Sequence, residues 1–338
     1  MLSAGCLALP ACALGARHKH PGAGKAVMQQ RFGVVNAAGW GPADAARAAR
    51  LGISVDRVEM DPTDPPGYDD ALVAADARAR LRPLPLLNVY SDLGTLDQQA
   101  FAAWAVDTAA RYGRGGAFWR AHPELSARLA PDYFELLNEP YGSWDGPAPD
   151  PAAYAQLFAT TVALSRAQQL PALWLLAASS HYTDGQGATH DWDRDLLAAV
   201  PNLASLAAGV TVHPYGTRSW QGDPDESWSK LRAVHTAFPT LPVWITEVGY
   251  SSTHDPAGLA AGELEKARAV RWYVRQVAAT PWIAALFIYG YRDADPDPAN
   301  PEDNYGLISF DGTQLLPAYG AYRSALATVR HCRSPRRC

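Results

Sequence analysis

The chain has 338 residues, of which 48% are hydrophobic and 19% charged, which suits a globular protein with a large core. Its formal net charge of -5 and the lack of basic runs in its body argue against nucleic acid or an anionic membrane as partner. No apolar run predicts a membrane-spanning segment, and the length suits one α/β barrel as well as two smaller domains.

The N-terminal segment 1–30 is predicted to be a signal-peptide-like stretch followed by a linker. Residues 1–16 are apolar and rich in small residues, and 11–13 or 13–15 would suit a signal peptidase. Residues 3–6 also resemble a lipoprotein box, although the usual positively charged start is missing. We therefore expect a secreted or periplasmic protein, and the alternative is an ordinary N-terminal extension of a cytosolic one.

The cysteines agree with an oxidising compartment. Cys6 and Cys12 would leave with a signal peptide, whereas Cys332 and Cys338 lie in the C-terminal tail 331–338. The tail cysteines would form a small disulfide loop there, and the alternative is two free thiols on a frayed end. No His or Cys pair with ligand spacing accompanies them, so a zinc site is not expected.

Between these ends, short apolar segments alternate with segments of helical length. The predicted strands cover residues 32–36, 54–59, 84–90, 133–138, 173–178, 209–213, 243–247 and 284–289. The predicted helices cover residues 42–51, 68–81, 96–112, 151–169, 191–199, 226–238, 259–280 and 317–329. This alternation predicts an α/β fold, a (β/α)8 TIM barrel over residues 31–330. A doubly wound open sheet is the alternative, but its Gly-rich first turn is missing.

Two glutamates stand at the ends of predicted strands. Residues 133–140 form an alternating, β-prone run that ends in Asn-Glu-Pro, so the strand presents Glu139 at its C-terminal end. Residues 241–250 repeat the pattern, with Glu247 before a turn at Gly249. A barrel would bring both carboxylates to one face, where hydrolysis of a glycosidic bond needs a proton donor and a nucleophile or base. Capping of the next turn is the alternative role.

Other polar and aromatic residues also close predicted strands and would meet the glutamates at the barrel mouth: Arg57, Asn88, Tyr90, Asn138, His213, Tyr215, Tyr289 and Tyr291. We interpret all of them except Tyr90 as candidate substrate-binding or site residues. Arg57 and Tyr215 would keep a carboxylate nucleophile ionised. Asn138 can hydrogen-bond a sugar 2-hydroxyl, where contacts strengthen in the transition state.

Some of these residues have structural alternatives. Glu135 shares the strand parity of Glu139, so an interior ion pair with Arg57 is expected because an unpaired buried charge is costly. Arg57 then serves the nucleophile, the structure, or both. His213 binds substrate, orients Glu247, or is a satisfied core histidine.

Tryptophans in predicted strand-to-helix loops are candidates for stacking on sugar rings. Trp144 and Trp220 closely follow strand-end residues and are the strongest candidates, with loop packing as the alternative. Trp40, Trp192 and Trp228 also lie in or next to such loops. The acidic loop at 293–298 is expected to be a solvated Pro-rich loop rather than a calcium site, so no metal or cofactor is expected.

The strand-end motifs resemble those of the clan A glycoside hydrolases, and families 5 and 39 are the most similar. The resemblance spans about residues 31–329 and rests on the segments 134–140 (FELLNEP), 212–215 (VHPY), 244–250 (WITEVGY) and the last strand-helix passage, 305–319. It implies that Glu139 is the acid/base and Glu247 the nucleophile of a retaining enzyme, with carboxyl groups about 5 to 5.5 Å apart. One departure is that Tyr289 and Tyr291 stand where the clan usually places a Trp, so the platform under the sugar is smaller.

We therefore expect a monomeric retaining β-glycosidase without cofactor that acts on an oligo- or polysaccharide. Cleavage inside the glycan chain is slightly favoured over exo action, because loop tryptophans are numerous. The alternatives are an exo-acting β-glycosidase and a non-catalytic carbohydrate-binding barrel. A metal-dependent hydrolase or a Schiff-base aldolase would need His/Asp clusters or a strand-end Lys, which the predicted barrel mouth lacks.

Overall fold

Eight parallel strands close into a barrel in the order β1-β10-β9-β8-β5-β4-β3-β2. The computed structural model describes residues 32–36, 40–142, 148–216, 226–297 and 299–331. The barrel strands are β1 (Phe32–Val35), β2 (Val55–Met60), β3 (Arg82–Leu87), β4 (Tyr133–Leu136), β5 (Leu173–Ala177), β8 (Gly209–Val212), β9 (Val243–Val248) and β10 (Ile283–Ile288). The predicted TIM barrel is thereby confirmed. The targeting segment and the tail cysteines Cys332 and Cys338 lie outside the described residues, so those expectations stay predictions.

Helices surround the barrel on its outer side. They are α1 (Pro42–Leu51), α2 (Tyr68–Arg78), α3 (Gln98–Tyr112), α4 (Ala117–Ala121), α5 (Pro151–Ala167), α6 (Trp192–Ala199), α7 (Leu203–Leu206), α8 (Glu226–Ala237), α9 (Leu259–Ala279) and α10 (Pro317–His331). Among the described residues, no helix combines the length and apolar character needed to cross a membrane.

Helix starts follow local capping chemistry. The Asp97 side chain accepts a hydrogen bond from the backbone N–H of Ala100, so α3 begins two residues later than the apolar pattern predicts. Asp150 caps α5 in the same way, and Pro151 occupies the first turn, where its missing N–H costs nothing.

Strand alternation divides the barrel residues between two apolar cores. A small cluster inside the barrel consists of Val55, Leu84, Leu175, Ala285 and Phe287. The larger core lies between strands and helices. Because side chains alternate along a strand, Arg57 shares the inner side of β2 with Val55, whereas Asp56 faces the helices.

The fourth strand ends two residues earlier than predicted. Leu137 has a φ of 62° and Glu139 a φ of 40°, so the chain leaves the extended conformation immediately after Leu136. A hairpin of β6 (Tyr182–Thr183) and β7 (Thr189–His190) between β5 and α6 was not predicted, since each of its strands has only two residues. The strand break matters for the site because it changes the direction in which Glu139 points.

Candidate active site

A cleft of about 710 Å³ opens at the C-terminal ends of the barrel strands. Eight predicted strand-end residues were expected at this face together with the two glutamates. The cleft is lined by the predicted residues Arg57, Tyr90, Asn138, Glu139, Tyr215, Glu247 and Tyr289, and by Val35, Glu59, Glu302 and Tyr305. The barrel thus brings Glu139 and Glu247 to one cavity, although they are far apart in sequence.

Glu139 is held in a left-handed backbone conformation. Its φ of 40° is unfavourable for a residue with a Cβ atom and costs about 1 kcal/mol. The turn is fixed on both sides, because Leu137 N–H bonds to Leu87 O at 2.9 Å and Gly142 N–H bonds to Glu139 O at 2.7 Å. Non-glycine residues in this region cluster at functional sites, where the surrounding structure maintains them.

Glu247 lies in a cationic, hydrogen-bonded environment. One carboxylate oxygen accepts a hydrogen bond from the Arg57 guanidinium, and the other accepts from the Tyr215 hydroxyl at 3.0 Å. Burial, followed by the charge of Glu247, raises the pKa of Tyr215 well above its usual value, so this hydroxyl stays a donor. Both oxygens of Glu247 thus accept hydrogen bonds, and one of these bonds comes from a cation.

His213 lies between the two glutamates. Its Nδ1 atom is 2.8 Å from Glu139 Oε1 and 3.8 Å from Glu247 Oε2. These two distances place the two carboxylate oxygens within about 7 Å of each other, a range that includes the spacing of retaining glycosidases. Glu139 thus faces an imidazole, whereas Glu247 faces a guanidinium.

Arg57 connects the site to the barrel interior. Its Nε donates to Glu135 Oε2 at 2.6 Å, and its Nη2 donates to Asn138 Oδ1 at 2.9 Å. The expected ion pair of Glu135 with Arg57 is confirmed, and Arg57 forms a second ion pair with Glu247. Burial disfavours its charge, but Glu135 and Glu247 outweigh burial and raise the pKa of Arg57.

The remaining polar candidates differ in position. Asn138 reaches the cleft, whereas Asn88 is buried and both ends of its side-chain amide bond to protein. Its Oδ1 accepts from the Asn138 backbone N–H at 3.0 Å, and its Nδ2 donates to Glu59 Oε1 at 2.8 Å. Asn88 thus supports the Asn138 backbone, and because it also lines a small cavity beside Asn138 and Glu139, its contact with substrate stays a prediction.

Tyr289 and Tyr291 point to opposite sides of the chain that follows β10. Tyr289 lines the cleft, and burial raises its pKa to about 12. Tyr291 is 1% exposed, packs against the tilted ring of Trp40 with centroids 4.6 Å apart, and donates its hydroxyl hydrogen to Asp44 Oδ1 at 3.3 Å. The prediction that Tyr291 binds substrate is wrong, because the chain leaves the strand after Ile288 and the Tyr291 ring packs against Trp40 and bonds to Asp44 of α1.

The tryptophan candidates contribute little to the described cleft. Trp144 and Trp220 lie outside the described residues, so their stacking role stays a prediction. Trp192 is fully buried in the core. Trp228 packs on Trp272 at a centroid distance of 5.2 Å. Aromatic surface in the described cleft comes instead from tyrosines.

Sequence analysis missed several cleft residues, of which Tyr305 is the clearest. Its ring packs edge-on against Tyr289 and Tyr215, at centroid distances of 5.4 and 5.9 Å. Glu302 precedes it in a short helical turn and also lines the cleft. Neither lies at a strand end, and their only signal is their place in the loop after the last barrel strand. No group of three or more His, Cys, Asp or Glu residues within the described ranges could hold a metal ion.

No protein-family model and no curated protein sequence matches this chain. Its structure is similar to solved glycoside hydrolases. A family 39 glycoside hydrolase from Bacteroides cellulosilyticus WH2 has a TM-score of 0.63 and 17% identity, over 90% of this chain and 65% of that one. A monomeric beta-xylosidase from Caulobacter crescentus CB15 has a TM-score of 0.59 and 18% identity, over 86% of this chain and 67% of that one.

A family 128 endo-β-1,3-glucanase from Pseudomonas viridiflava has a TM-score of 0.56 and 19% identity, over 87% of this chain and 97% of that one. This chain thus spans less than two thirds of the family 39 structure but nearly all of the family 128 structure. At these identities the similarity shows the fold. It confirms that the chain shares the barrel of glycoside hydrolases and resembles family 39, as the motifs predicted.

Proposed function

We propose that this protein is a retaining glycoside hydrolase that cleaves β-linked glycans. The observation that carries the proposal is the placement of Glu139 and Glu247 on one cleft, with carboxylate oxygens 2.8 and 3.8 Å from the same nitrogen of His213. Their surroundings differ as the two roles require. Arg57 and Tyr215 stabilise a charged nucleophile at Glu247, whereas Glu139 has a partner with which it can share a proton.

The chemistry proceeds in two displacements. Glu247 attacks the anomeric carbon and forms a glycosyl ester, while the carbon–oxygen bond breaks and Glu139 gives its proton to the leaving oxygen. Glu139 then takes a proton from a water molecule, whose oxygen attacks the same carbon and releases Glu247. Asn138, which Arg57 fixes by a 2.9 Å bond, would contact the sugar 2-hydroxyl. The tyrosines Tyr289 and Tyr305 would form the sugar platform.

A neutral glycan fits the cleft better than a uronic acid polymer. Glu59 and Glu302 line the cleft, and among the described residues neither has an ion-pair partner. Arg57, the cation of this cavity, is already engaged by two carboxylates. Added carboxylates on the substrate would therefore be repelled. We propose β-1,3-glucan as the first substrate to test, because the family 128 endo-β-1,3-glucanase matches this chain over 97% of its own length.

Cleavage inside the chain is supported by cavities on both sides of the central cleft. One of about 210 Å³ shares Glu139 and Tyr215 with it and extends along the β6–β7 hairpin. Another of about 340 Å³ shares Glu59 and Tyr90 with it and extends beside β2. Since β2 and β8 stand opposite each other in the barrel, a long glycan could cross the glutamate pair. Secretion or a periplasmic location is part of this proposal, because such polymers lie outside the cytoplasm.

The test is to measure reducing ends released from laminarin, xylan, xylobiose and polygalacturonate, with product sizes recorded. We expect oligosaccharides of mixed length from laminarin and no release from polygalacturonate. E139Q and E247Q should each lower kcat on the best substrate by at least about a thousandfold. The surface variant E124Q is the matched control, because Glu124 lies outside the cleft.

The anomeric configuration of the first product, followed by proton NMR, tests the retaining mechanism. Retention supports it, and inversion contradicts it. Activity of both glutamine variants within about tenfold of wild type would overturn the catalytic assignment. Binding of laminarin without release of reducing ends by the wild type would support a carbohydrate-binding barrel instead. Release of monosaccharide alone would support exo action.

A further inference from the structure

A buried chain of hydrogen bonds joins the two glutamates behind the cleft. From Glu139 it runs to His213 at 2.8 Å, from His213 Nε2 to Thr246 Oγ1 at 3.1 Å, and from Thr246 to Glu135 Oε1 at 2.9 Å. Arg57 closes it by bonding to Glu135 and to Glu247. Thr246 is fully buried and Glu135 is 1% exposed, so neither can contact a substrate.

The number of hydrogens on each group decides which group donates in each of these hydrogen bonds. A threonine hydroxyl has one hydrogen, and Thr246 donates it to Glu135, whose carboxylate oxygens can only accept. The other Glu135 oxygen accepts from Arg57 at 2.6 Å. The Thr246 oxygen must therefore accept from His213, so His213 carries a hydrogen on Nε2.

This assignment decides what His213 can offer to Glu139. With its hydrogen on Nε2, a neutral imidazole has a lone pair on Nδ1, which faces Glu139 Oε1 at 2.8 Å. A hydrogen bond at that distance then requires one shared proton, held by Glu139 as a carboxylic acid or by His213 as an imidazolium. The opposite tautomer would bond to an ionised Glu139 and leave no proton for the leaving group.

We propose that Thr246 and Glu135 are positioning residues that fix the tautomer of His213 and thereby keep the acid proton on the Glu139–His213 pair. The expected effect on the reaction rate rests on the proposed glycosidase function, whereas the assignment of the His213 tautomer does not. The proposal gives the buried ion pair of Glu135 and Arg57 a role on both sides of the reaction. Arg57 supports the nucleophile, and Glu135 supports the acid through two intermediate side chains.

The groups that face His213 come from several barrel elements: Arg57, Glu135, Glu139, Tyr141, Tyr215 and Glu247. Lys230 of α8 and His181 of the β5–β6 loop line the adjoining cavity. Burial lowers the pKa of His213, but the charges of Glu247 and Glu139 outweigh it, and the pKa of His213 is raised. This balance favours retention of a proton between Glu139 and His213.

The tautomer can be measured without any substrate. Imidazole ¹⁵N NMR of the full chain, with His213 assigned by the H213N variant, should show Nε2–H once the ring is neutral. In E135Q the amide of the new glutamine donates to Thr246, so the threonine hydroxyl turns to His213 and the ring should change to Nδ1–H. An Nδ1–H ring in the wild type, or the same tautomer in wild type and E135Q, would overturn the proposal.

The pH profile provides the second readout. T246V removes the hydroxyl at nearly constant volume, and T246S keeps it. In T246V the alkaline limb of kcat/KM, which reports the acid, should move to lower pH by about one unit. T246S should keep the wild-type limb. An unshifted limb in T246V with only a uniform loss of rate, or an equal shift in T246S, would show a merely structural role.

Failure of this inference and failure of the proposed function give different results. A wild-type chain that cleaves no glycan but shows Nε2–H at His213, reversed in E135Q, loses the function and keeps the tautomer assignment. An active wild type with Nδ1–H at His213 keeps the function and loses the assignment. Thermal unfolding of T246V and E135Q shows whether each variant is folded when it is measured.

Discussion

Arg57 and Asp56 are neighbours on β2, and the buried carboxyl groups on the two sides of that strand have different partners. On the inner side, Arg57 bonds to Glu135 and Glu247, so negative charges are balanced by a guanidinium. On the outer side, Asp56 and Asp76 are both fully buried, and no cation of the described residues pairs with either. The indole of Trp40 donates to Asp56 at 2.5 Å, but both Asp76 oxygens have no hydrogen-bond partner among the described residues.

The comparison shows two ways to keep carboxyl groups in a low-dielectric interior. A cation keeps the inner carboxylates available as charges, which a nucleophile needs. The outer pair must hold a proton instead, because burial and the neighbouring Asp76 charge raise the pKa of Asp56 well above its usual value. Burial also raises the pKa of Asp76 to about 7. The inner side therefore serves chemistry, whereas the outer side makes stability depend on pH.

The largest effect is expected for R57M, which removes the cation from the inner side. Glu135 would be left as an uncompensated buried charge, which costs about 3–5 kcal/mol of stability in urea unfolding. Glu247 would lose its donor as well, so kcat/KM should fall by at least about a hundredfold.

The double variant R57M/E135Q separates these two effects. Removing the charge of Glu135 should restore most of the lost stability, because no buried carboxylate is then unpaired. Activity should stay low, since Glu247 still lacks Arg57. Recovery of activity together with stability would show that Arg57 acts only through the fold.

D76N tests the outer side and should stabilise the protein at alkaline pH. The pKa of Asp76 is about 7 in the folded chain and about 3.9 when unfolded, so the folded state binds more protons between these values. Wild-type stability therefore falls as pH rises through this window. Asparagine stays neutral, so D76N should be about 4 kcal/mol more stable than wild type at pH 8 and similar near pH 4.

D70N on the same helix is the matched control with the opposite sign. A hydrogen bond from Arg111 lowers the pKa of Asp70, so its ionised form contributes stability that is lost on acidification. D70N should therefore lower the melting temperature at neutral pH. A D76N variant that is less stable than wild type at every pH would refute the account of Asp76 as a protonated carboxyl group.

Y215F should have a smaller effect, confined to the inner side. It deletes the 3.0 Å hydrogen bond to Glu247 while the ring keeps its packing against Tyr305. A hydrogen bond to a charged group is worth about 1.5–3 kcal/mol, so kcat/KM should fall by about tenfold or more. A kcat/KM within about twofold of wild type would argue against this contact in the free enzyme.

The sequence predicts the barrel well because its signals are local. Eight apolar segments and the capping residues Asp97 and Asp150 determine the elements, and a closed barrel places strand ends together without further information. The pairing of Glu139 with Glu247 and of Glu135 with Arg57 followed from strand parity and end position alone.

The site residues that the sequence does not predict either lie outside regular structure or act through contacts between side chains. Tyr305 reaches the cleft from a long loop after β10, and no periodicity predicts its direction. Thr246 looks like an ordinary strand residue, and only its hydrogen bonds to His213 and Glu135 reveal a polar role inside the barrel. Loop geometry and side-chain networks depend on tertiary contacts, which a single sequence does not encode locally.

The smallest effect is expected for Y291F, which applies the inner-outer comparison to two tyrosines only two positions apart. Tyr291 is buried and its hydroxyl bonds to Asp44 at 3.3 Å, so its loss should cost about 1 kcal/mol or less and leave kcat/KM within about twofold. Tyr289 faces the cleft, so Y289A should instead raise KM by about tenfold through lost stacking, with little change in stability. The two variants should thus differ in which quantity changes, KM for the inner tyrosine and unfolding free energy for the outer one. An increase of KM in Y291F equal to that in Y289A would mean that Tyr291 contacts the substrate despite its packing against Trp40.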